Sequence, residues 1–273
     1  MAKKKNINEM SFLDHLEDLR WHLIRITLAV ISGGTIAFIF SRRVFNDIIF
    51  APKGMDFITY RLLCQSANFI GIEETTFCAE ELPIIIQNRT MAGQFSADIW
   101  TSITVGFIIA FPYILYQLWK FISPALHDNE RKHSRGFIII SSFLFFIGVL
   151  FGYYIITPLS INFLANYNIS NQIDNQIDLS SFIAIVKSSA LASGIIFELP
   201  IVIYFLTKIG LVTPQILKKY RKYALVIVLI LSAIITPPDL ASQIIVAIPI
   251  LILYQVSIYI SKIVIRNQER KTT

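Results

Sequence analysis

Phe137-Ile-Ile-Ile-Ser-Ser-Phe-Leu-Phe-Phe-Ile-Gly-Val-Leu-Phe-Gly-Tyr-Tyr-Ile-Ile156 is an apolar run of 20 residues without a charge. As a helix with about 1.5 Å rise per residue it is about 30 Å long, which matches the hydrocarbon core of a bilayer. Hydrocarbon offers the backbone no water, so the run reads as a membrane-spanning helix. Comparable runs fall at 23–40, 99–119, 182–206, 223–235 and 244–260, giving six. Composition agrees. Of 273 residues 55% are hydrophobic and 15% charged, against roughly 25% charged in soluble domains. With a mean hydropathy of +0.62, a water-soluble single-core protein is excluded.

The net charge of +6 would point to nucleic acid in a soluble protein, but here the basic residues sort by loop. The segments before the first run, after the second, after the fourth and after the sixth hold 18 Lys and Arg; the alternate loops hold five, and Lys187 lies inside the fourth run. The positive-inside rule therefore predicts six spans with both termini cytoplasmic. Arg42-Arg43, at the outer end of the first run, is the exception. The start Met1-Ala-Lys-Lys-Lys resembles a signal-peptide leader, but no small-residue cleavage site follows the first run, which reads as a retained anchor. The expected organisation is one six-span membrane domain over 1–273, with a cytoplasmic amphipathic segment at 1–22, a long external loop at 41–96 and a cytoplasmic tail at 262–273.

The spans are unequal. The fifth run, about 20 Å long as a helix, falls short of the hydrocarbon and calls for a thinned bilayer or a covering partner. Pro112, Pro200 and Pro249 lie inside runs, where each frees a carbonyl and favours a bend. The external loop is too long for a turn, which predicts short helices within it. It carries both cysteines, Cys64 and Cys78. A bridge between them would contribute about 3 kcal/mol in the chain-entropy estimate; two unpaired thiols are the alternative.

Acidic residues are the candidates for chemistry. Ser11 with Asp14 fits a capping box, and Phe12, Leu16, Leu19 and Leu23 form one apolar stripe, leaving Asp14, Glu17 and Asp18 together on the other face. Such a face favours a cationic partner, or is neutralised locally by Arg20 or His22. Ser123-Pro124 starts a helix well, and Asp128 and Glu130 beyond it put carboxylates on the same membrane side. Two separated acidic sites there could hold a dibasic peptide through carboxylate–guanidinium forks. Glu198 lies within the fourth run, where an acid costs on the order of 2.5–3.5 kcal/mol by insertion scales and marks function by default. The alternative is a protonated carboxyl bonded to backbone freed by Pro200. Thr236, Asp239 and Gln243 could form a polar cluster at the hairpin between the fifth and sixth runs, where turn chemistry is the other reading. Phosphate loops, nucleophile elbows and zinc-protease pairs are absent, and the four histidines lack metal-ligand spacing. No catalysis, metal or cofactor is expected, nor nucleic acid, since topology accounts for the basic loops.

Four stretches carry a family resemblance: His15-Leu-Glu-Asp-Leu-Arg20; Tyr116-Gln-Leu-Trp-Lys-Phe-Ile-Ser-Pro-Ala-Leu126 with Glu130-Arg131; Phe197-Glu-Leu-Pro200; and Thr236-Pro-Pro-Asp239. In this order and on these helix ends, over about residues 12–262, the chain resembles the TatC family, the multispanning core subunit of the twin-arginine protein translocase. The resemblance implies an all-α membrane protein of the bacterial cytoplasmic membrane. It implies six helices in a curved, glove-like arrangement, with the fifth and sixth short. It also implies a receptor for the twin-arginine signal peptides of folded precursors, single-span TatA- and TatB-type partners, a homo-oligomer in lipid, and export driven by the proton-motive force. Carried over by position, Asp18, Glu17, Arg20, Phe121, Glu130 and Arg131 would bind the signal peptide. Glu198 would be the intramembrane acid, and Thr236 and Gln243 would lie where partner helices dock. Asp18 stands where the family pattern HLxELR has Glu, with Glu17 beside it, so either acid could reach the signal. Trp21-His22 stands where basic residues are common. A solute transporter coupled through Glu198 and an intramembrane enzyme are the competing classes, and the second lacks a catalytic partner for Glu198.

Overall fold

The computed structural model describes residues 12–70, 78–79, 82–122, 134–170, 175–236 and 240–272. In chain order its main elements are α1 (Phe12–Ile39), α2 (Ile58–Ile70), β1 (Ile85–Gln87), α3 (Gly93–Ile122), α4 (Ser134–Phe151), α5 (Thr157–Asn166), β2 (Gln176–Asp178), α6 (Leu179–Phe197), α7 (Leu199–Lys208), α8 (Pro214–Lys219), α9 (Arg221–Ile235) and α10 (Leu240–Thr272). Among the described residues, five helical stretches are long and apolar enough to cross a bilayer: Leu16–Ile39, Gly93–Phe121, Gly136–Asn166, Leu179–Lys208 and Ser242–Gln268. The fifth apolar run forms α9, whose 15 residues extend about 22 Å. The expected amphipathic segment and first span are one continuous helix, α1. Ser11, its expected cap, lies outside the described residues.

The chain divides into two compact units, one from the chain up to Val44 and from Phe95–Phe143, the other from Phe45–Gln94 and the chain from Leu144 onward. In the first, α1 and α3 meet backbone to backbone. A Cβ on Gly106 would lie 2.4 Å from Gly34 N and 2.6 Å from Val30 O. Lipid tails are as apolar as leucine, so helices in a membrane gain little from hydrophobic contact and associate where small residues allow close approach.

The second unit repeats this device. Gly148 and Gly152, four apart and so on one helix face as in a GxxxG pair, face Ser189, Ser193 and Gly194 of α6. A Cβ on Gly152 would lie 2.2 Å from Ser189 O, and one on Gly148 2.6 Å from Ser193 O. Between α4 and α5 the helix widens to a π turn, Gly152–Ile156. Pro158 has no N–H to give the carbonyl of Tyr154, four residues earlier. Thr59 Oγ1 donates to that carbonyl instead. The same region anchors the segment around α2: the Tyr60 hydroxyl lies 3.0 Å from Pro158 O and 3.1 Å from Pro52 O, Tyr153 donates to Ile48 O at 2.8 Å, and Phe57 stacks on Tyr154 with centroids 5.5 Å apart. Burial pushes the Tyr60 phenol well above the usual range.

The loop over 41–96 contains helices, as its length predicts, chiefly α2. Cys64 and Cys78 are joined in a disulfide, with Cα atoms 5.1 Å apart and a sequence separation of 14. The all-helical expectation misses one detail. β1 and β2 pair in parallel, Ile85 opposite Gln176 and Gln87 opposite Asp178. Three-residue strands carry too little alternation to be read, but pairing satisfies backbone groups that the two connecting segments would otherwise leave to water. Asp178 ends β2 and caps α6 by accepting from Ser180 N at 2.8 Å. Bonds from the Ser180 hydroxyl and N–H, with Arg89 beside them, hold its carboxyl below the usual range. This stabilisation is present above the unfolded carboxylate pKa and is lost as pH falls through the lower folded value.

Of the three prolines inside apolar runs, Pro200 alone divides a helix, α6 from α7, whereas Pro112 and Pro249 lie in uninterrupted helices. The end of the second unit is held by Val228, Val246, Ala247 and Ile250 packed with Ile156. A buried bond from Thr207 Oγ1 to Ser261 Oγ, 2.9 Å long, links α7 to α10.

Gly152→Ala should destabilise the protein by about 1–3 kcal/mol, the usual cost of overpacking. Gly136→Ala, where a Cβ meets nothing within 4 Å, should change stability by less than about 0.5 kcal/mol. Thermal unfolding in detergent reads both, and equal losses would contradict the backbone contact. The disulfide predicts that a thiol-reactive mass tag labels Cys64 and Cys78 only after reduction; full labelling without reductant would contradict it.

Candidate functional site

At its N-terminal end α1 presents its acids beside a buried polar chain. His22 is 4% exposed and Gln117 of α3 is 3% exposed, and His22 Nδ1 lies 2.7 Å from Gln117 Oε1. Gln117 Nε2 donates to the Tyr113 hydroxyl at 2.6 Å, so its Oε1 is left to accept from His22 Nδ1. The other ring nitrogen, Nε2, faces Asp18 Oδ1 at 3.8 Å, too long for a hydrogen bond. Phe121 closes the cluster with its ring edge-on to His22, centroids 6.0 Å apart.

The helical repeat explains the arrangement. Asp18 and His22 are one turn apart on α1, and Tyr113, Gln117 and Phe121 are successive turns on one face of α3. The Asp18 side chain remains 43% exposed. Glu17 and Arg20 are exposed and Phe121 half-buried. The result is one carboxylate, Asp18, open to solvent beside a buried hydrogen-bonded pair, suited to a guanidinium ligand. The apolar stripe of α1 is also uncovered, since Leu16 and Leu23 are 44% and 50% exposed, and with Arg20, Ile24 and Leu28 they line a shallow groove of about 400 Å³. Glu130 and Arg131, together with Ser123, Pro124 and Asp128, lie outside the described residues.

The remaining candidates belong to the second unit. Glu198 sits at the break between α6 and α7, with φ −74° and ψ −6°. Its carbonyl accepts from Ile201 N at 2.9 Å and Val202 N at 3.0 Å, which starts α7 just behind Pro200. The residue is half-buried and its Oε1 is shielded from solvent. Thr236 is buried and donates to Ser232 O at 2.8 Å; Gln243 Nε2 donates to Leu229 O at 3.0 Å. Thr236 thus closes the last turn of α9 on itself, and Gln243 ties α10 to α9. Asp239, of the expected polar cluster, lies outside the described residues. Among the described residues no group of three or more His, Cys, Asp or Glu could hold a metal.

Sequence reasoning took Asp18 and Phe121 but passed over Gln117. A lone amide in the run Tyr116-Gln-Leu-Trp119 was the available signal, because a buried Gln requires a partner.

Five apolar crossing helices, glycine contacts between them and polar side chains gathered at helix ends and breaks define a multi-pass α-helical membrane protein. The family described as Sec-independent protein translocase protein (TatC) matches residues 14–249, and the chain belongs to that family. A Sec-independent protein translocase protein TatC of Blattabacterium sp. subsp. Periplaneta americana is 48% identical over 258 residues, covering 94% of this chain and 97% of that protein. The TatC protein of Aquifex aeolicus is 35% identical over 261 residues, covering 95% and 98%. A crystal structure of a twin-arginine translocase receptor, TatC, superposes with a TM-score of 0.68 at 35% identity, covering 92% of this chain and 99% of that one. The family is one of translocase proteins, not of enzymes.

Gln117→Leu should leave the buried Nδ1–H of His22 without an acceptor and cost about 1–3 kcal/mol. Removing both partners in His22→Leu/Gln117→Leu should recover part of that loss, as paired apolar replacements do. Unfolding of the three variants tests this; strictly additive losses would show that the two side chains do not interact.

Proposed function

We propose that this chain is the signal-peptide receptor and core subunit of a twin-arginine translocase that exports folded proteins under the proton-motive force. Its six spans lie in a bacterial cytoplasmic membrane as one domain over 1–273. Both termini face the cytoplasm, the 41–96 segment lies outside, and 1–22 and 262–273 lie inside. The observation that carries the reading is the open Asp18 carboxylate, seated over the buried His22–Gln117 pair on a chain whose relatives match it nearly end to end. Family membership supplies the ligand class, and the local chemistry fits it: a signal peptide with paired arginines needs carboxylates that accept planar, bidentate bonds, and a lysine pair fits such forks poorly.

In this reading Asp18, with Glu17 as the alternative, takes one arginine and Glu130 the other. Arg20 and Arg131 balance the acids, and Phe121 packs beside the bound segment. The uncovered Leu16–Leu23 stripe receives apolar residues of the signal. Glu198, at a helix break inside the bilayer, is the acid that responds to the precursor or to a partner. Thr236 and Gln243 lie where partner helices dock: Thr236 closes the end of α9, Gln243 ties α10 to it, and the exposed Ile230 and Ile234 of α9, 54% and 74% accessible, offer the surface for single-span TatA- and TatB-type helices. Further copies of this chain join the same complex.

A charge-assisted contact contributes about 1.5–3 kcal/mol. Asp18→Asn or Glu130→Gln should therefore weaken binding of a twin-arginine signal peptide to detergent-solubilised protein roughly ten- to a hundredfold, with folding unchanged because Asp18 is exposed. Wild-type affinity in the double variant would refute the site. A larger loss from Glu17→Gln than from Asp18→Asn would move the contact to Glu17. Glu198→Ala should abolish export while Glu198→Gln retains a substantial part if polarity alone is needed; unimpaired export by both would remove Glu198 from the mechanism.

A further inference from the structure

Pro214, Gln215 and Lys218 of α8 face Lys262, Ile265 and Arg266 of α10 across a cleft of about 340 Å³. Pro214 is buried and Ile265 half-buried, while Lys218, Lys262 and Arg266 are exposed. The cleft thus has an apolar floor and a cationic rim. Lys262 and Arg266 stand one turn apart on α10, and Pro214 and Lys218 one turn apart on α8, so each helix turns one face to the cleft. Its walls are fixed independently of any ligand: Tyr254 of α10 donates to Leu217 O of α8 at 2.8 Å, and Gln268 Nε2 donates to Lys208 O at 3.1 Å.

Among the side chains described over 199–268 there is no Asp or Glu; Glu269 follows Arg266 by three residues on α10, and its side chain, like Asp239, lies outside those described. Lys218, Lys262 and Arg266 form no ion pair or hydrogen bond with another described side chain. Three cations held around one small cleft repel unless an anion joins them. The cleft borders the last turns of the span Ser242–Gln268, where head groups begin. Above it Tyr259 and Ile263, 66% and 43% exposed, continue an apolar path along α10. An anion with an apolar tail fits both parts, and basic pockets between membrane helices bind acidic lipid head groups.

We propose that Lys218, Lys262 and Arg266 bind the phosphate of an anionic phospholipid, whose head group occupies the cleft between α8 and α10 while its acyl chains follow Tyr259 and Ile263. The site goes beyond signal-peptide recognition and shares no residue with it. It requires only that this helix end lie at a membrane–water boundary, so it stands whichever face is cytoplasmic.

Lipid titration of the purified full-length protein by native mass spectrometry, with phosphatidylglycerol and phosphatidylethanolamine, tests the proposal. The protein should retain phosphatidylglycerol in preference. Each cation near an anionic head group contributes a factor of about five, so the triple variant Lys218→Gln/Lys262→Gln/Arg266→Gln should bind it on the order of a hundredfold more weakly, and each single variant about fivefold. The charge-keeping triple Lys218→Arg/Lys262→Arg/Arg266→Lys should bind within a few-fold of wild type. Lys219→Gln/Lys222→Gln, at cations outside the cleft, should change binding by less than about threefold. Equal retention of the two lipids, or a loss in the Lys219/Lys222 variant as large as in the triple, would overturn the site. Displacement of the lipid by millimolar inorganic phosphate would overturn the lipid as its ligand.

Discussion

The contact of Gly152 with the backbone of Ser189 expresses the constraint on which the rest of the structure rests. In hydrocarbon an apolar side chain gains nothing by leaving lipid for protein, so helices are held where their backbones come close enough for dispersion and local bonds to add up. The chain uses this twice, with Gly34 against Gly106 in one unit and Gly148 and Gly152 against Ser189 and Ser193 in the other. Both sites exclude even a methyl group. Because the crossings are fixed at these points, the positions of the helix ends follow, and the polar side chains at those ends are placed with them.

Function is then a matter of what each fixed end presents. At one, the α1–α3 crossing brings His22 and Gln117 into a buried bond, and Asp18 is left open on top of it. At another, Pro200 divides a helix and leaves Glu198 at the break, with its carbonyl engaged in starting α7 and its carboxyl partly shielded. The two carboxylates sit in different settings. The first is open to solvent, whereas the second belongs to a half-buried residue at a helix break.

Much of this was legible in the sequence, for identifiable reasons. Uncharged runs such as 137–156 announce spanning helices because length and polarity are the only requirements of the bilayer. The shortness of α9 followed from the same count, and the helices within the 41–96 segment from the length of that segment. What stayed hidden depends on partners far along the chain. Gly148-x-x-x-Gly152 is a common spacing, and only the structure pairs it with Ser189 and Ser193. The bond of His22 to Gln117 joins residues 95 apart. The β1–β2 pair joins two segments that alternate too briefly to be read as strands, and the acceptance by Tyr154 O of a bond from Thr59 is visible only once Pro158 is seen to withdraw its own donor. Motif resemblance reached Asp18 and Glu198, but it could not say that one is open and the other shielded.

The central claim is that the open end of α1 receives the paired arginines of a precursor. Site-specific photocrosslinking from Trp21, which is 53% exposed beside Asp18, to a precursor bound in native membranes tests it most directly. The account predicts a crosslink to the signal segment that requires the arginine pair and disappears when both arginines are replaced by lysine. A crosslink of equal yield from the dilysine precursor, or none from Trp21 when the precursor is demonstrably bound, would contradict it.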